Sequence, residues 1–241
     1  MSASVNGTAE YDQASGGTAS VTITSNPGDV VAIFTVNSTS GSSYPSAITD
    51  SNSAALQNCV SGNQDFGTYG SQYAAAGETS VAGIFWGVTE VSGSNVITVT
   101  FSASHSGQAI VVADCTDIAN IGPVVSNIIF YNSATESWTV AGGSGSDSVG
   151  TVPALLVAAA IPSGPANWTT GSGWAKNSLT GTQNYLVESQ YVTAAGTYDA
   201  TATPSVAVSG YFMQLALAQA GGVPSNVFPL MYNRRNVLYF I

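Results

Sequence analysis

Apolar residues recur in this chain at every second position, in short runs cut off by glycine, proline, serine and asparagine. Val21 and Ile23 alternate with Thr22 and Thr24, and Ile97, Val99 and Phe101 with Thr98, Thr100 and Ser102. A β-strand turns successive side chains to opposite faces, so this alternation describes a strand with one face buried and one wet. Two other runs, Val30-Val31-Ala32-Ile33-Phe34 and Ile110-Val111-Val112-Ala113, are apolar throughout and fit strands covered on both faces. Ser25-Asn26-Pro27-Gly28, Ser92-Gly93-Ser94-Asn95, Gly142-Gly143-Ser144-Gly145 and Pro162-Ser163-Gly164-Pro165 supply turn residues between them. Ala154–Ile161 and Met213–Ala220 contain good helix formers. Pro153 and Pro162 bracket the first run too closely for a stable helix. In the second, Tyr211, Met213, Leu215 and Leu217 share one parity, so both are read as strands. The chain is expected to be all-β.

The two halves echo each other. Val88-Thr89 corresponds to Val192-Thr193, and each is followed by a glycine turn, a Thr-rich strand, a Ser/Gly loop and an apolar strand. The step from Phe101 to Ile110 equals that from Thr203 to Phe212, and upstream the Asp29–Phe34 run corresponds to Ala154–Ala159. Shared Ser/Thr/Gly composition alone can produce such likeness. Read as a true repeat, it predicts a jelly-roll-like β-sandwich of two antiparallel sheets built from a duplicated half. Neither half is then expected to own a complete core, so residues 1–220 form one domain and 221–241 a separate C-terminal docking arm.

Charge narrows the range of partners. The chain has 241 residues, 7% of them charged, and a formal charge of −10. Lys176 is the one basic residue before position 220, against thirteen acids. A phosphate backbone is bound by clustered Lys and Arg that displace counterions, so no nucleic-acid partner is expected, and the same shortage argues against an anionic membrane surface. No apolar stretch approaches the length of a membrane span. The start, MSASVNGTAEYDQASGG, has neither the basic nor the apolar region of a secretory signal, so synthesis in a cytoplasm is expected. Cys59 and Cys115 are read as free thiols in that compartment, with a single disulfide as the alternative.

The segments PGDVVAIFTV, ITDS, ITVTFS, AIVVADCTDI, LLVAAA, YLVESQYVTAAGTYDATAT and QLALAQA together resemble the Ser/Thr/Gly-rich β-sandwich domains of phage virion proteins and microbial surface proteins. The resemblance spans residues 18–220 and is compositional. Those domains often continue the Asp-Ser pair with Gly-Asn and Trp, whereas Asp50-Ser51 here runs into Asn52-Ser53-Ala54-Ala55-Leu56. The resemblance implies a jelly-roll-like sandwich with a structural, adhesive or sugar-binding role.

Little in the chain suggests catalysis. His105, the single histidine, lies in a Ser/Gly stretch read as a loop tip, and no G-x-S-x-G elbow accompanies it. One His and two distant Cys make no zinc set. Asp114 with Asp117, or Glu188 with Asp199, are candidate carboxylate pairs for glycoside cleavage, and Asp114, Asp117 and Asp147 are oxygen donors for calcium. No EF-hand loop frames them. No enzyme, cofactor or metal is expected.

Two binding surfaces remain. Trp168 and Trp174 flank a Thr/Gly stretch, and Tyr69 and Tyr73 lie in another. Exposed in loops, such rings can stack on a sugar; buried, they cap the sandwich. The tail after Gly221-Gly222 is broken by Pro224 and Pro229 and carries Val227, Phe228, Leu230, Met231, Tyr232, Arg234, Arg235, Val237, Leu238, Tyr239, Phe240 and Ile241. It is read as an arm that pairs with a neighbouring subunit by strand addition, its arginines meeting an acidic body. The expectation is a non-enzymatic virion structural protein of a phage or archaeal virus (capsid decoration, fibre or tail component), homo-oligomeric or bound to other virion subunits. The alternative is a carbohydrate-binding adhesin of the extracellular surface that recognises a host glycan.

Overall fold

The structure, a computed structural model, describes residues 2–13, 17–38, 45–51, 80–101, 107–135, 137–139, 148–177, 179 and 184–221. They contain strands and turns and no helix, which bears out the all-β expectation. Ala154–Ile161 and Met213–Ala220 fall in strands Ala154–Pro162 and Val208–Gln219. A helix would have hidden one stripe of each run. As strands they are covered on both faces.

The first half comprises β1 (Ser4–Gln13), β2 (Thr18–Ser25), β3 (Val30–Ser38), β4 (Pro45–Asp50), β5 (Ser80–Val88), β6 (Gly93–Phe101) and β7 (Gln108–Thr116). Successive strands alternate between two antiparallel sheets, one ordered β1-β7-β3-β5 and the other β2-β6-β4. Asp117 alone, with φ 58°, separates β7 from β8 (Ile118–Thr135). The second half continues with β9 (Trp138–Thr139), β10 (Ser148–Val149), β11 (Ala154–Pro162), β12 (Trp168–Thr170), β13 (Ala175–Asn177), β14 (Leu186–Val192), β15 (Gly196–Thr197), β16 (Thr201–Pro204) and β17 (Val208–Gln219). Its sheets run β13-β14-β11-β17-β8 and β12-β16-β9, beside a small β10-β15 pair. With β10, β13 and β15 set aside, both halves have the same strand order.

Side-chain parity assigns the layers. Val30, Ala32, Phe34 and Val36 of β3 share one apolar cluster with Leu155, Val157, Ala159 and Ile161 of β11 and with Tyr211, Met213, Leu215 and Leu217 of β17. The opposite parity of β3, Val31 and Ile33, packs with Val21 and Ile23 of β2 and Ile97 and Val99 of β6. The opposite parity of β11, Ala154 to Ala160, packs under Trp138, Trp168 and Ala202 of the other second-half sheet. The result is four layers, outer–inner–inner–outer, with the two inner sheets face to face. The antiparallel sandwich anticipated from the sequence is therefore present as two sandwiches sharing a central core, rather than as one pair of sheets. Inner strands are buried on both sides, which is why β7 and β11 read as unbroken apolar runs. Outer strands alternate, as in β2.

Pairing also tests the expected correspondence between halves. Val30 pairs with Cys115 and Val88, and Leu155, facing the same core, pairs with Leu217 and Tyr191. This register matches Val30 with Leu155 and Ile110 with Phe212, as the sequence spacing does. It matches Val88 with Tyr191, one residue away from the Val88–Val192 match, because Val88 packs on the shared core while Val192 faces the outer one.

Local chemistry closes the turns. Asn26-Pro27-Gly28-Asp29 is a tight turn in which Asp29 N–H donates to Asn26 O at 3.0 Å. Proline presets φ at its second position, and Gly28 takes φ 89° at its third. Asp29 Oδ2 accepts from Asn26 N at 2.8 Å and fixes the corner. Gly210 has φ 148°, and a Cβ there would lie 2.4 Å from Ile161 O and 2.7 Å from Pro162 Cα. Gly210→Ala is expected to destabilise the protein by about 2 kcal/mol or more, read as a lower midpoint in urea unfolding. A neutral result would show that β11 and β17 can separate at this point without loss.

Candidate functional site

Where β1 of the first half passes the start of β14 in the second, a cleft of about 230 Å³ opens at the seam. A register shift between Val5 and Gly7 changes the parity of β1. Ala9 then faces the first half's outer core, and Glu10 turns toward the second half. Glu10 is buried, and its Oε2 accepts a hydrogen bond from Tyr185 N–H at 3.3 Å. The far wall comes from Ala166, Asn167 and Trp168, with Lys176, Leu179 and Asn184 completing the lining.

The wall is held by backbone bonds. Asn167 N–H donates to Ser205 Oγ at 3.0 Å, and Ser205 N–H donates to Asn167 O at 2.7 Å. Trp168 Nε1–H donates to Asn184 O at 2.8 Å. Asn184 adopts φ 57°, a left-handed conformation that Asn tolerates. Lys176 is exposed and reaches Trp168 O with Nζ at 3.4 Å. Backbone groups of Asn167 and Asn184 are thus engaged by the scaffold, and both residues line the cleft together with Lys176.

A second polar feature lies further along β14, opposite Lys176 in the register. Glu188 is fully buried, at a site where it pairs across the sheet with Ala158, which pairs in turn with Gln214. The corresponding row of the first half is Phe85–Ile33–Val112. An apolar row in one half is therefore Glu–Ala–Gln in the other. Gln214 is satisfied, accepting from Ala200 N–H at 2.8 Å and donating to Tyr198 O at 2.7 Å. The Gly171 N–H approaches Glu188, yet neither carboxyl oxygen completes a hydrogen bond among the described residues. Desolvation by burial pushes the Glu188 pKa up to about 8, against a small opposing pull from that N–H.

The residues singled out from sequence are dispersed. Trp168 and Trp174 are 6% and 7% exposed and belong to the second half's outer core. Trp138 meets Trp168 edge-on at 4.9 Å. The indoles cap the sandwich and offer no open face for stacking. Asp114 is buried on β7, accepting from Asn6 Nδ2 at 3.2 Å, and Asp117 sits in the turn between halves. Glu188 is buried and Asp199 exposed. Cys115 is a buried free thiol whose pKa is raised by burial, then by the charges of Asp114 and Asp29. Among the described residues no three His, Cys, Asp or Glu side chains converge as a metal set. Tyr69, Tyr73, Cys59, His105, Asp147 and the arm residues Val227–Ile241 lie outside the described residues.

Sequence reasoning missed Glu10, Asn167, Asn184 and Tyr185. The one available signal was Lys176, a solitary cation in an acidic body. Comparison with known proteins returns no match to any family model, curated protein or solved structure.

Glu188 makes stability depend on pH. Its folded pKa lies above the unfolded value of 4.5, so the folded state holds the proton more tightly. The benefit is complete below pH 4.5 and is lost as pH rises through 8, a swing of about 5 kcal/mol at most. Glu188→Gln is expected to flatten that decline and to be more stable than wild type at pH 9 in urea unfolding. A uniform loss across pH 5 to 9 would mean the carboxyl makes a specific bond that glutamine cannot replace.

Proposed function

We propose that this is a non-enzymatic structural subunit of a virus particle, a capsid decoration, fibre or tail component that assembles with copies of itself or other virion subunits. The supporting observation is the character of the first half's outer sheet. Thr18, Ser20, Thr22 and Thr24 of β2 lie exposed beside Ser94, Val96, Thr98 and Thr100 of β6, and Ser20 and Thr98 hydroxyls meet at 2.9 Å. These residues form a regular face and are all uncharged. Covering it with another subunit desolvates hydroxyls, which re-pair readily, and no ions. Interface cores are depleted in charge for the same reason.

The repeated strand order supports the further reading that the two halves arose by duplication. The alternation of successive strands between sheets, strict in the first half and kept in the second once β10, β13 and β15 are set aside, supports a jelly-roll-like wrap in each. In this reading the rigid double sandwich carries the arm of residues 221–241, whose apolar side chains and two arginines provide the adhesive contact. The product is made in a host cytoplasm and resides in the virion. Host-glycan binding by loop aromatics, the second reading of the sequence, is weakened by the burial of Trp168 and Trp174.

Deletion of 223–241 tests the assignment. The truncated protein is expected to melt within a few degrees of wild type and to elute as a monomer in size-exclusion chromatography, where the full chain forms oligomers. A collapsed melting transition would place the tail in the domain's own core and overturn the arm.

A further inference from the structure

Lys176 is the only basic side chain in the first 220 residues, which also hold thirteen acids, and it lines the seam cleft. It makes no ion pair among the described residues, and its one polar contact is the neutral carbonyl of Trp168 at a long 3.4 Å. Its cross-strand neighbour is Glu188, a carboxyl held largely neutral at pH 7 by burial, so that side chain does not compensate it. An ammonium with three donors and one weak acceptor retains capacity for an anionic oxygen.

The other cleft groups favour hydroxyls. Asn167 and Asn184 bring carboxamides that both donate and accept, and their backbones are already tied to Ser205 and Trp168. Glu10 adds carboxylate oxygens at the opposite wall, one of them anchored by Tyr185 N–H. At about 230 Å³ the cleft is smaller than the pockets that take drug-sized ligands and accommodates a single small ring. The geometry points to a site for one sugar unit bearing a carboxylate, a uronic-acid type, with its acid on Lys176 and its hydroxyls on Asn167, Asn184 and Glu10. Recognition is by polar groups from both halves at the seam and does not involve ring stacking. Trp168 acts only as wall and support.

Binding can be tested on the full chain by ligand titration in NMR, using D-glucuronate, D-glucose and acetate at pH 7. Glucuronate is expected to bind at about millimolar affinity, at least tenfold tighter than either glucose or acetate, and to weaken with added salt. Lys176→Gln, at an exposed position, is expected to keep the wild-type melting temperature and lose glucuronate binding at least tenfold. Lys176→Arg is expected to retain most of it, and Asn167→Ala to weaken it several-fold. The proposal is overturned if glucuronate does not bind at tens of millimolar, if glucose or acetate binds equally well, or if Lys176→Gln leaves its affinity unchanged. Should Lys176→Gln melt early, the Asn167→Ala variant decides: undiminished glucuronate binding in it also overturns the site.

Discussion

Everything in this fold rests on the apolar layer between the two inner sheets. Strands β3, β5 and β7 from one side and β11, β14 and β17 from the other contribute alternate residues to it, with Phe34, Leu155, Met213 and Leu215 almost fully inaccessible to water. Neither inner sheet can be solvated on that face without exposing a full row of Val, Leu, Ile and Phe on each strand. Burial of that kind is the dominant favourable term in folding. It also accounts for the near absence of charge along these strands, where an unpaired ion costs several kcal/mol. The outer sheets add their own smaller cores, so each half is a sandwich in its own right and also one side of a larger one.

The two exceptions to that rule are informative. Asp114 and Glu188 are fully buried on inner strands, both pointing away from the shared core toward the outer layers. Asp114 is met by Asn6. Glu188 has only the approach of Gly171 N–H and responds by holding its proton. One half thus fills a position with Phe85 where the other holds a carboxyl. Asn95 is partly satisfied, its Nδ2 donating to Ser25 Oγ at 3.1 Å between β6 and β2.

Much of the architecture could be read from residues alone, for physical reasons. Period two reports one-sided burial, and β2 and β6 display it. Unbroken apolar runs report two-sided burial, and β3, β7 and β11 display that. What the runs could not convey is what covers the second face. Val30–Phe34 looks the same whether its far side meets a second sheet of one sandwich or a second sandwich, so two layers were expected where four occur. The repeat was legible through the Phe101-to-Ile110 and Thr203-to-Phe212 spacings. It slipped by one at Val192, where Val-Thr identity outweighed parity. The cleft was hidden for a different reason. It depends on a register shift in β1 and on a turn that brings Asn184 near Trp168, and neither leaves a local signature. Sequence left Trp168 and Trp174 open as sugar platforms or sandwich caps, because a tryptophan in a Thr/Gly stretch has the same neighbours whether it points outward or caps a core; both are buried in the outer core.

The last described strand has a mechanical consequence. Gly221, the last described residue, follows β17, which is flanked along its length by β11 on one side and β8 on the other. Ala220 N–H is also tied to Asp117 O at 2.8 Å, beside the joint between halves. Tension applied beyond that point therefore loads two ladders in shear at once, and must break them together before the strand slides. A domain loaded through this strand resists extraction far better than one loaded through an edge strand, which would peel bond by bond.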